Sequence, residues 1–122
     1  MEFNIEDLKS ICEYLEKYVE IDEDGDFIEL DLNLELPNRH ELPEVTDKLL
    51  LFYVNHLESA DCIETVKYLG DSRPTISSIT STGYKFFSAI KEPAIINKLK
   101  ESMISSIPAL ITTAIKYATQ IK

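Results

Sequence analysis

The chain has 122 residues, 44% of them apolar. That is one domain's worth of sequence with a core of its own, and it excludes a disordered, collagenous or disulfide-scaffold chain. Acidic residues outnumber basic ones 22 to 12, giving a formal charge of −10, which speaks against a free-standing nucleic-acid binder, because phosphate contacts need clustered Lys and Arg.

The opening Met1-Glu2-Phe3-Asn4-Ile5-Glu6-Asp7 is acidic and lacks an apolar run, so a secretory signal is not expected. No stretch approaches the roughly 18 apolar residues of a spanning helix, and a cytoplasmic location in a bacterial cell is the expectation. Cys12 and Cys62 lie in no metal-ligand or redox spacing and read as two small buried apolar groups. The charge is unevenly spread. Residues 1–64 hold 19 acids and 4 bases, residues 65–122 hold 3 acids and 8 bases. Such a split marks either a binding face on each side or two halves that attract each other within one fold.

In chain order, Ile5, Leu8, Ile11, Leu15 and Tyr18 recur at helical spacing, so residues 5–18 are predicted as a helix capped by Asn4. Asp22-Glu23-Asp24-Gly25-Asp26 is a turn cluster. Ile28, Leu30, Leu32, Leu34 and Leu36 then alternate with Glu29, Asp31, Asn33 and Glu35, which predicts a strand with one wet face. Val19-Glu20-Ile21 is its short hairpin arm. Pro37 stops that strand, and 37–43 is a loop. Residues 44–60 form a helix that is apolar over more than half its girth and therefore central. Residues 62–69 and 75–80 read as two strands of a hairpin around Gly70-Asp71-Ser72-Arg73-Pro74. A helix over 82–91 turns Phe86, Phe87 and Ile90 inward. Another follows at about 94–104, and a last one from Ser106 with Pro108 in its first turn.

Tests for chemistry give little. Asp22, Asp24 and Asp26 occupy the first, third and fifth positions of a calcium loop, but Phe27 replaces the required glycine and Asn33 the bidentate glutamate. A polar hairpin turn accounts for them better. His40 reads as solvated and His56 as a boundary side chain of the central helix. There is no nucleophile elbow, zinc-binding helix or Cys–His signature, and glycines only at 25, 70 and 83 cannot build a phosphate cradle. The expectation is a protein that is not an enzyme and carries no cofactor or metal. Lys67, Tyr68, Arg73, Lys85 and Lys91 gather around the second hairpin, where an Arg at the tip suits a phosphate contact. The helix before it offers only Asn55 for base readout.

The order helix, strand, helix, hairpin, helix is that of a winged helix-turn-helix. Two segments sharpen it: Phe52-Tyr53-Val54-Asn55-His56-Leu57-Glu58-Ser59-Ala60-Asp61-Cys62-Ile63-Glu64, and Ile79-Thr80-Ser81-Thr82-Gly83-Tyr84-Lys85-Phe86-Phe87-Ser88-Ala89-Ile90-Lys91. Over about residues 44–120 the chain resembles a winged-helix-like family of bacterial and phage proteins, a domain of unknown function. Ile63, Thr80, Gly83, Phe86 and Ile90 carry the match. Asp61 stands where that family has a glycine, and Tyr53 and Tyr84 stand where it has histidines. The resemblance implies a winged fold without implying an activity.

The expected architecture is a single α+β domain over 1–122. Residues 1–43 form the N-terminal helix and acidic strand, 44–91 the central helix, wing hairpin and post-wing helix, and 92–122 the C-terminal helices. The expected role is a small acidic protein-interaction module, a phage or bacterial regulator or inhibitor of a host defence or nucleic-acid-handling complex. Its partner-facing residues are Asp22, Asp24, Asp26, Glu29, Asp31 and Glu35, opposite a basic protein surface. The alternative for that run is a solvated face that maintains solubility. The competing function is a winged-helix DNA-binding regulator contacting DNA through Lys67, Arg73 and Lys85. No membrane partner is expected. The apolar stripe of 106–120 is a candidate homo-oligomer contact.

Overall fold

The computed structural model describes residues 4–42 and 45–120. Helix α1 runs Ile5–Tyr18. The Asn4 side chain accepts from the N–H groups of Glu6 and Asp7 at 2.8 and 3.3 Å, and these two acids favour the positive end of the helix. Leu8, Ile11, Cys12, Tyr14 and Leu15 are its buried face. Val19 closes the helix by donating to the Leu15 carbonyl at 2.8 Å.

The chain then turns through residues 22–26. A single bridge joins Ile21 to Phe27, so the predicted hairpin arm is present in minimal form. The long strand predicted over 28–36 is not. Strand β1 is only Leu30–Asp31. It pairs antiparallel with strand β3, Thr75–Ile79, in the register Leu30 to Ile76 and Asp31 to Thr75. Pairing stops for two reasons. The next partner is Pro74, whose carbonyl accepts from Leu32 at 3.3 Å but which has no N–H to return. Asp31 also turns the chain, its Oδ1 accepting from the backbone N–H and side-chain amide of Asn33, both at 2.8 Å. Asn33 in turn grips the Arg73 backbone, donating to its carbonyl at 2.7 Å and accepting from its N–H at 2.9 Å. Leu30 and Leu32 are buried, whereas Ile28 and Leu34 are 46% and 67% exposed. Alternation therefore persists in the sequence beyond the pairing that would use it.

A 3-10 turn at Arg39–Glu41 leads to helix α2, Asp47–Ser59. The predicted start at Glu44 lies outside the described residues. Thr46 caps α2 by accepting from Leu49 N–H at 3.2 Å. Tyr53 is fully buried, and its hydroxyl accepts from Asn4 N–H at 2.7 Å, tying the centre of α2 to the cap of α1. At the far end of α2, Asp61 N–H donates to Glu58 O at 3.0 Å and Cys62 N–H to Leu57 O at 2.9 Å. This is a Schellman motif, with Asp61 in the left-handed region at φ 62° where glycine is usual.

Strand β2, Ile63–Val66, pairs antiparallel with β3, with an irregularity between Glu64 and Thr65. The sheet order is β1-β3-β2. Both strands of this hairpin are shorter than predicted, because residues 67–74 close the turn. Helix α3, Ser81–Ile90, is capped by Thr80, whose hydroxyl accepts from Gly83 N–H at 3.0 Å. Thr80 N–H donates to Cys62 O at 3.0 Å. A Cβ built on Gly83 would stand 2.0 Å from that same Cys62 oxygen, so only glycine lets α3 reach the end of α2. Phe86, Phe87 and Ile90 are buried as predicted.

Helix α4, Pro93–Glu101, starts on its proline, one residue before the predicted start. It ends short of 104 because Met103 adopts φ 51°. Helix α5, Ile107–Gln120, packs on α2, α3 and α4. Of its apolar stripe, Ile107, Leu110, Ile111 and Ala114 are buried within the single chain, and Ile115 and Ala118 are partly buried. The protein is thus α+β, with five helices around a small three-stranded antiparallel sheet. Among the described residues no helix is long and apolar enough to cross a membrane.

Candidate functional site

The six carboxylates singled out in the sequence do not line one strand face. Asp22, Asp24 and Asp26 share the turn between Ile21 and Phe27, and all three are exposed. The Asp22 carboxylate is used by the turn itself. Its Oδ1 accepts from Asp24 and Asp26 N–H at 2.9 and 3.0 Å, while Asp22 N–H donates to Asp26 O at 2.7 Å. Asp24 and Asp26 present their charges outward. Among the described residues no group of three His, Cys, Asp or Glu side chains is arranged to hold a metal ion.

Glu29 has a specific partner. Tyr68 donates its hydroxyl to Glu29 Oε1 at 2.8 Å, a contact that joins the acidic segment to the tip of the β2–β3 hairpin. The tyrosine hydroxyl is held above its ordinary pKa, first because only the protonated form can donate to Glu29, and further because an anion there would face the carboxylate. Asp31 is half-buried and works in the turn already described. The N–H groups of Asn33 hold its carboxyl below the ordinary aspartate range. Glu35 lines a cleft of about 180 Å³ with Leu32, Leu50, Arg39, Asp47 and Arg73, on the side facing α2.

The basic candidates are also divided. Lys67 is exposed beyond β2, and Lys85 is exposed on α3. Arg73 is half-buried, with its guanidinium 3.5 Å from Asp47 Oδ2. Asp47 Oδ1 takes Arg39 at 3.3 Å, and Arg39 further donates to the carbonyls of Leu42 and Val45. Asp47 therefore clamps two arginines from separate segments. Two more ion pairs join the acidic and basic halves: Lys91 with Glu16, and Lys100 with Glu6 at 2.8 Å. Part of the basic excess is spent inside the fold, as the second reading of the charge split expects.

The outward side of α2 carries exposed Lys48, Asn55 and Ser59 beside the partly buried Leu51, Phe52 and His56. The His56 ring meets Phe52 edge-on at 4.6 Å, and His40 is exposed in the 3-10 turn. Both thiols are buried. Burial pushes Cys62 up to about 12 and Cys12 well above its ordinary value, so neither is a thiolate nucleophile at neutral pH. A cleft of about 500 Å³ lies between the start of α1 and the end of α4. Ile5, Leu99, Met103 and Ile104 line it, with the Glu6–Lys100 pair at its edge.

Sequence reading missed three residues that organise this surface. Asp47 and Asn33 act across long sequence separations and leave no local signal. Leu69 is fully exposed, and its signal was legible: an apolar Tyr68-Leu69 pair directly before the turn glycine. No protein family, curated protein or solved structure matches the chain.

Proposed function

We propose that the protein is a winged-helix-like interaction module that binds a basic surface of another protein and catalyses no reaction. The observation that carries this reading is the fate of the charges. Arg73, Lys91 and Lys100 of the basic half are paired with Asp47, Glu16 and Glu6, whereas Glu23, Asp24 and Asp26 project from an exposed turn. What is left for a partner to meet is predominantly negative.

The winged-helix reading draws support from the element order and from the strand order β1-β3-β2, with the 3-10 turn at Arg39–Glu41 standing for the helix before α2. The left-handed Asp61 supports the family resemblance, since that is the position where the family has a glycine. The base-poor outward side of α2 argues for a protein rather than a DNA ligand. In a bacterial or phage setting, a complex that handles nucleic acid presents such a basic surface.

The test is a fluorescence-anisotropy titration with random-sequence duplex DNA at about 50 and about 200 mM salt, alongside a pull-down from host lysate. The expected result is no duplex binding at either salt. A basic protein should be captured stoichiometrically and retained less well when Asp24 and Asp26 are changed to Asn. Duplex binding that weakens with salt and is lost in Lys67→Ala/Lys85→Ala would overturn the proposal in favour of the DNA-binding regulator.

A further inference from the structure

Charged side chains from four segments meet at the cleft of about 180 Å³ beside α2. Glu35 follows β1, Arg39 lies in the 3-10 turn, Asp47 opens α2, and Arg73 belongs to the β2–β3 turn. Asn33 fixes the Arg73 backbone from one side, and Asp47 takes the guanidinium from the other. Arg39 is committed to Leu42, Val45 and Asp47. Arg73 meets Asp47 through one terminal nitrogen at 3.5 Å, which leaves most of its N–H fork open. Glu35 is exposed and has no ion-pair partner among the described residues.

The charges decide what fits. Two guanidiniums answer Asp47, so one positive charge is left over, and Glu35 supplies one negative charge. The rest of the lining is apolar. Leu50 is buried, Leu51 is partly buried, and Leu34 stands at the cleft with 67% of its surface exposed, to be covered when the cleft is filled. The volume is below the roughly 300–1,000 Å³ of drug-sized pockets, so the occupant is small. We propose that this cleft binds a free apolar α-amino acid of leucine size. Its carboxylate lies on the open fork of Arg73, its ammonium on Glu35, and its side chain against Leu34, Leu50 and Leu51. A free α-amino acid carries both charges on one carbon, whereas an internal peptide segment carries neither. A ligand of net charge would set a like charge against Arg73 or Glu35. The site is separate from the exposed turn of Asp24 and Asp26, and neither reading needs the other.

The test is a titration of the full chain at neutral pH, read by amide chemical shifts. The probes are L-leucine, isocaproate (which lacks the ammonium), isoamylamine (which lacks the carboxylate) and glycine (which lacks the side chain). L-leucine should move the amide signals of Leu34, Glu35, Leu51 and Arg73. Each of the other three should bind about tenfold more weakly or worse, since each forgoes one charge-assisted bond or one buried leucine-sized group. Glu35→Gln should weaken L-leucine about tenfold without weakening isocaproate, and Arg73→Gln should weaken L-leucine without weakening isoamylamine. Glu35 makes no ion pair in the fold, so its variant reads the site and not stability. No shift with L-leucine at about 10 mM, isocaproate binding as tightly as L-leucine, or unchanged L-leucine affinity in Glu35→Gln would each overturn the proposal. None of these outcomes touches the acidic turn, whose partner is tested by the pull-down.

Discussion

The junction of α2, β2 and α3 and the acidic segment between Val19 and Pro37 are held by different means. At the junction, main chain meets main chain: Cys62 O accepts from Thr80, and Gly83 packs against that same oxygen with no room for a methyl group. In the acidic segment, side chains replace a ladder. Asp22 closes one turn, Asp31 the next, and Asn33 stitches the segment to Arg73. The first arrangement is rigid because close packing tolerates almost no change of shape. The second relies on polar bonds near solvent, each worth about 1 kcal/mol net.

This contrast is open to direct attack. The largest effect should come from Gly83→Ala, which drives a methyl group into the Cys62 carbonyl. A loss of about 3 kcal/mol in a urea melt is expected, and full stability in that variant would show that α3 can shift away. Asn33→Ala comes next. It removes both bonds to the Arg73 backbone and should cost about 2 kcal/mol while leaving the junction intact by hydrogen exchange. Asp61→Gly should act in the opposite direction, raising stability by up to about 1 kcal/mol as the left-handed strain at φ 62° is relieved.

Acid should give the smallest effect, and its sign follows from Asp31. Its carboxyl is held below the unfolded-state value, so its contribution is complete above about pH 4 and disappears as pH falls through the lower folded value. Chemical melts from about pH 5 to about pH 2 should show stability falling in that window. The fall should be shallower in Asn33→Ala, which lacks the amide that lowers the carboxyl. An equal slope in the two proteins would remove the Asn33 side-chain amide from the account and leave the backbone N–H of residue 33 as the group that lowers the carboxyl.

Helix positions were legible because caps and apolar spacing are local. Asn4 caps α1 as read, and Phe86, Phe87 and Ile90 face the core as read. The acidic strand was not, because a period of two reports which side chains favour burial and says nothing about whether a partner strand continues alongside. Here the partner runs out at Pro74. The carboxylates of the candidate surface were legible as a group but not in their separate roles. Asp22 and Asp31 serve turns, Glu29 meets Tyr68, and only tertiary structure separates them from the free charges at Asp24 and Asp26. Arg73 appeared free in sequence because its partner Asp47 is on another element.

Gly83 and Cys62 have a consequence for how the molecule can diverge. By fastening the end of α2 to the start of α3, they close the chain between residues 62 and 83 into a loop whose base is fixed independently of its tip. Residues inserted near Gly70 lengthen a loop that is already closed, and each doubling of its length adds only about 0.6 kcal/mol of closure entropy. The hairpin tip is therefore free to vary in length and composition over generations while the helices beneath it keep their packing.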